Sequence, residues 1–160
     1  MAGWTEIDSI TLGSPAAAVT FSSGLTAYKF FRLTVYAGAS GGASNVLLRF
    51  NAETTNYTSQ EVTATGTTVA GARVTDAGIE INGLSMAQDN WGSYSVIIAR
   101  PSTGVKPQVI ANGGNDASPE LGLIGAEWDN TADTISSISL VPSANSFAAG
   151  TSILLEGLAF

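Results

Sequence analysis

Any chemistry in this chain has to be done without histidine or cysteine, because its 160 residues contain neither. Ser-His-Asp and Cys-His arrangements are therefore impossible, as are thiolate metal sites and disulfides. Carboxylate pairs, or serine beside lysine, are what remain. Glu127 and Asp129 share a strand parity at the end of the segment Leu121–Trp128, so their side chains are expected on one face. A glycosidase needs two acids across a cleft at a defined separation, which two acids at one strand end do not supply. Asp116, Glu120, Asp129 and Asp133 offer the oxygen ligands calcium takes, but their spacing is unlike an EF-hand loop. Asn56-Tyr57-Thr58 is a formal glycosylation sequon. The expectation is a protein that is not an enzyme and holds no metal and no cofactor.

The residues with more to offer are large aromatics. Trp4, Tyr36, Trp91 and Trp128 fall near strand ends or on faces of ambiguous parity. Their plain role is to cap the core. Interfaces are enriched in such residues, so these four are also the candidates for a subunit or partner contact. Arg32 and Arg49 read as surface-facing cations, one on each of two neighbouring strands.

The elements that would position them centre on Tyr28–Asn51. Two strands there are joined by the glycine-rich turn Ala39–Ala43. Phe31, Leu33 and Val35 share one parity, and so do Val46, Leu48 and Phe50, so each strand turns an apolar row toward one core. Phe30, Tyr36 and Leu47 have the opposite parity, which predicts partial burial there under a loop or another subunit. Before this pair, Trp4–Leu12 changes parity between Ile7 and Ile10, which predicts a bulge or two short strands. Ala17–Phe21 alternates. After it, Tyr57–Thr63 and Thr67–Val74 are Thr/Val-rich and read as marginal strands.

Asp76–Gly78 and Asn82-Gly83 read as turns on either side of a short strand ending at Ile81, and 86–90 as loop or a single helical turn. Tyr94–Ala99 is an apolar strand leaving at Arg100-Pro101. Gln108–Ala111 is a strand, Asn112–Asn115 a tight turn, Leu121–Trp128 a strand and Asp129–Asp133 a turn. Ile135–Val141 and Ser152–Phe160 close the chain as strands. No window shows sustained helical periodicity. The prediction is one all-β domain over 1–160: an antiparallel β-sandwich of about eight to ten short strands, with little or no helix. Residues 1–12 read as an N-terminal arm or an exchanged strand.

Composition narrows the function. Charged residues are 12% of the chain and the net charge is −7. Nucleic-acid binding needs clustered Lys and Arg, and six scattered basic residues form no such patch. No apolar run approaches the ~20 residues that span a bilayer as a helix. MAGWTEIDS has no basic region followed by an apolar run, so no secretory signal is expected.

Several pieces resemble a known module. Ile10–Ala17, Val19–Ser23, Tyr28–Leu33, Leu47–Asn51 and Asn56-Tyr57 occur in that order in a jelly-roll-like module of tailed-bacteriophage virion proteins. Ile135–Leu140 and Phe147–Gly157 are similar to its C-terminal half. The resemblance covers roughly two-thirds of the chain and fades between residues 60 and 95. It implies a scaffold used in capsid-decoration, tail-tip and fibre components, and no catalytic residue. The expected function is a capsid decoration (cement) protein at the virion surface, a homotrimer bound to the major capsid protein. A first strand near residue 4 and no coiled-coil stalk are expected, which favours this over a projecting fibre. The alternative is a tail-fibre or tail-tip module binding a host glycan, with Trp91 or Trp128 stacking on sugars.

Overall fold

In the computed structural model, residues 3–75, 77–81, 86, 90–100, 104–116 and 120–159 are described. The expected turn at Asn82-Gly83, the exit at Pro101, Asp76 and Phe160 lie outside them. The described chain forms strands β1 (Thr5–Thr11), β2 (Val19–Phe21), β3 (Phe30–Ala37), β4 (Val46–Phe50), β5 (Tyr57–Thr65) and β6 (Thr68–Val74). These are followed by β7 (Ile79–Glu80), β8 (Gly92–Ala99), β9 (Gln108–Asn115), β10 (Glu120–Trp128), β11 (Ile138–Pro142) and β12 (Ser152–Leu158). One 3-10 turn, Leu25–Ala27, is the sole helical element among the described residues.

Pairing shows how the chain is rolled. β1 pairs β12, β2 pairs β11, β3 pairs β8 and β4 pairs β7, all antiparallel. That is one long ribbon folded back on itself. β12 then adds to β3 and β11 to β4, which curls the ribbon into two sheets, β1-β12-β3-β8 and β2-β11-β4-β7. Eight strands in this order make a jelly roll. Two hairpins are inserted, β5–β6 between β4 and β7, and β9–β10 between β8 and β11. They extend the first sheet to β1-β12-β3-β8-β9-β10-β5-β6. The all-β antiparallel sandwich expected from the sequence is the architecture found. Among the described residues twelve strands stand against the eight to ten predicted, because the Thr/Val-rich runs pair as a full hairpin and β2 and β7 are very short.

The apolar rows lie where their parity puts them. Phe31, Leu33 and Val35 face Val46, Leu48 and Phe50 in one core with no exposed surface on any of the six. Each side chain of this kind contributes roughly 2 kcal/mol on burial. Leu47, on the opposite parity, is buried beneath the 77–78 segment, where Arg49 Nε donates to the Ala77 carbonyl at 2.7 Å. β1 is one strand with a bulge between Glu6 and Asp8, at Ile7 and so ahead of the Ile7–Ile10 span in which parity placed it. One turn is misplaced. Asn112–Asn115 is not a turn but the continuation of β9, paired with Gly92–Ser95 on β8. Its glycines serve packing. A Cβ on Gly113 would fall on the Tyr94 ring and the Ser93 carbonyl oxygen.

Candidate functional site

Glu127 and Asp129 do come together, and a lysine joins them. Lys106 Nζ lies 3.0 Å from Glu127 Oε1 and 3.1 Å from Asp129 Oδ1. Hydrogen bonds to Glu127 and then Asp129 hold the ammonium above its ordinary range. The cluster ties the 104–108 segment to the end of β10 and leaves no acid opposite another across a cleft. The four acids considered for calcium work separately. Asp116 accepts from the Trp91 backbone at 2.8 Å, Glu120 from Asn115 Nδ2 at 2.8 Å, and Asp133 from Asn130 Nδ2 at 2.8 Å. Among the described residues no group of three acids converges on a point where an ion would sit.

Arg32 meets Glu156 through a two-pronged contact from β3 to β12, 2.6 and 2.8 Å. The guanidinium holds the Glu156 carboxyl below the usual carboxylate range, and the carboxylate raises Arg32 in turn. The Arg32 guanidinium carbon lies 4.9 Å from the centre of the Trp4 ring, a cation–π geometry. Trp4 lies half-buried over the Arg32–Glu156 pair.

Trp128 needs correcting as an interface candidate. It is wholly buried, packed 5.5 Å from the Phe50 ring, with Nε1 donating to Glu53 Oε2 at 3.0 Å. A side chain without accessible surface has none to offer a partner. Its even parity on β10, shared with Ile124 and Ala126, points it into the core.

Tyr36 and Trp91 form a single unit. Their rings stack at 4.9 Å with 17° between planes, and Tyr36 is 50% exposed. Trp91 rests on Gly38, where a Cβ would come within 3.0 Å of its ring atoms. Ser93, Asn115 and Asp116 border the stack around an open hollow of about 320 Å³. A larger hollow, about 400 Å³, opens over Gly125 between Gln60, Arg73, Gln108 and Glu127, without an aromatic floor.

A further feature was not among the residues singled out from sequence. On the outer face of the extended sheet, Val62, Val69, Ile110, Leu121 and Leu123 are 48%, 70%, 58%, 57% and 51% exposed. Register places Leu123 between Asn112 and Val62, with Leu121 beside Ala64. Together they expose on the order of 500 Å² of apolar surface, at the upper end for a lone monomer. All five belong to the inserted hairpins. The signal was available: β10 is apolar on both parities, Leu121 and Leu123 on one and Ile124, Ala126 and Trp128 on the other. A strand of that kind expects cover on both faces.

No protein-family model matches the chain, and no curated protein matches it.

Proposed function

We propose that this chain is a virion structural protein of tailed bacteriophages, a decoration protein that binds the outer surface of the capsid as an assembly of identical copies and stabilises it. The apolar outer face of the inserted hairpins carries the reading. It is broad, shallow and held on a rigid sheet, which suits a protein surface rather than a small substrate. The jelly roll beneath it is an architecture found in capsid proteins. A cement needs only surface complementarity, and assembly on a shell stabilises each copy by mass action. The homotrimer expected from the sequence is one form of such an assembly, and the major capsid protein is the partner.

A second reading rests on a different observation, the Tyr36–Trp91 stack bordered by Ser93, Asn115 and Asp116. A flat aromatic surface beside amide, hydroxyl and carboxylate groups suits a sugar ring, so this reading is a tail-tip or fibre module binding a host glycan. One pair of measurements separates them. Cryo-electron microscopy of virions is expected to place this chain on the capsid exterior, and a glycan array to show no binding. Density confined to the tail, with array binding that Tyr36→Ala removes, would overturn the first reading in favour of the second.

A further inference from the structure

The two sheets have four edges among the described residues, and three are blunted. β1 has a bulge and the acids Glu6 and Asp8, while β2 and β7 are three and two residues long. Bulges, charges and brevity are the usual defences of a sheet edge. β6 has almost none of them. It runs seven residues, Thr-Val-Ala-Gly-Ala-Arg-Val, in unbroken register from Thr65↔Thr68 to Ser59↔Val74. It contains no proline, no lysine and no acid, and Thr68 through Arg73 are exposed.

We propose that β6 is a self-pairing edge. Two copies of the chain join β6 to β6 antiparallel, across a two-fold axis at Gly71, so that their large sheets become one.

Hydrogen-bond phase and sequence both fit this register. Gly66 and Thr67 form a two-residue turn, with Gly66 at φ +58°, closed by the pair Thr65 and Thr68. In such a hairpin the closing pair is hydrogen-bonded and the pattern alternates from there. Thr68, Ala70, Ala72 and Val74 therefore bond to β5, while Val69, Gly71 and Arg73 direct N–H and C=O outward. Centring the contact on Gly71 sets Gly71 against Gly71 and Val69 of one copy against Arg73 of the other. All are outward-bonding positions, and the seam closes with about six main-chain hydrogen bonds. Ala70 meets Ala72, as the near-palindrome Ala-Gly-Ala requires.

No like charges face each other across the seam, a condition that matters for a chain of net charge −7. The acids of β1 deny that edge the same pairing. The axis stands perpendicular to the sheet, so both outer apolar faces lie on one side of the joined molecule. This isologous contact closes at two copies and differs from the homotrimer expected from the sequence.

Light scattering on the full chain at tens of micromolar, with hydrogen exchange across a dilution series, tests it. The expected result is twice the monomer mass and exchange of the Val69, Gly71 and Arg73 amides that slows at least 10-fold as concentration rises. A Cβ at Gly71 meets its nearest atom, the Glu61 carbonyl oxygen, at 3.6 Å, so side chains fit there. Gly71→Lys places two lysines face to face and is expected to give a folded monomer with an unchanged circular dichroism spectrum. Gly71→Glu is expected to do the same, and an equimolar mixture of the two to recover the dimer. A monomeric wild type, a trimer with freely exchanging β6 amides, or a Gly71→Lys dimer would overturn the proposal.

Discussion

Tyr57 shows what one residue contributes here. Its hydroxyl accepts the Phe50 backbone N–H at 2.8 Å and donates to the Phe50 carbonyl at 3.2 Å, fastening both ends of the 51–56 loop. That loop holds Asn51, Ala52 and Asn56 at positive φ, so it needs fastening. Burial pushes the phenol from its ordinary 10 up to about 12, against a smaller opposing effect of the Phe50 backbone hydrogen bond. A raised phenol lets the unfolded chain lose its proton first. Stability is therefore full below pH 10 and falls as pH climbs from 10 toward 12, by about 2–3 kcal/mol in all. Tyr57→Phe is expected to abolish that alkaline loss. At neutral pH it should cost about 1–3 kcal/mol, because the Phe50 N–H is left buried and unpaired. Thermal melts of both proteins at pH 7 and pH 11 check it. In the sequence Tyr57 was legible as the start of a marginal strand but its fastening role was not, because its partner is main chain and main chain leaves no residue-type signal.

At the scale of elements, alternation could be read and glycine could not. The rows in β3 and β4 were plain, since period-two apolar residues admit one inward face. Asn112–Asn115 looked like a turn because glycine and asparagine favour turns. In the structure the two glycines are there because β9 must pass the Tyr94 ring and the Glu120 carbonyl at close range. That reason is set by a neighbouring strand and is invisible in the local sequence. Gly113→Val is expected to destabilise by roughly 2 kcal/mol or more, since backbone as well as ring obstructs the new side chain. Gly125→Val on β10 is its control. Nothing lies within 4 Å of a Cβ there, so the change is expected to be neutral or to stabilise by a few tenths of a kcal/mol. Urea denaturation of the two variants, at equal slope, would show the contrast, and equal midpoints would contradict it.

For the whole molecule, the sequence made the helix-poor, two-layered body legible, and the ribbon order follows from pairing between distant strands that no local pattern encodes. The apolar outer face was harder to see. Its five apolar residues lie on four strands, β5, β6, β9 and β10, and only the register brings them together. If that face exists to meet another protein, its side chains contribute little to folding and much to binding. Replacing Leu121 and Leu123 together by threonine is expected to shift stability by less than about 1 kcal/mol, because both are already half in water. Ile124→Thr, one residue away and 1% exposed, is expected to cost about 2–4 kcal/mol, since it removes a buried methyl and buries a hydroxyl. Sedimentation with purified shells should then reverse the order. The leucine pair variant, fully folded, is expected to lose shell binding at least 10-fold, while the Ile124 variant binds normally at temperatures where it remains folded. A leucine pair variant that unfolds would mean the outer face is part of the core after all, and one that still binds the shell would overturn the outer face as the proposed contact.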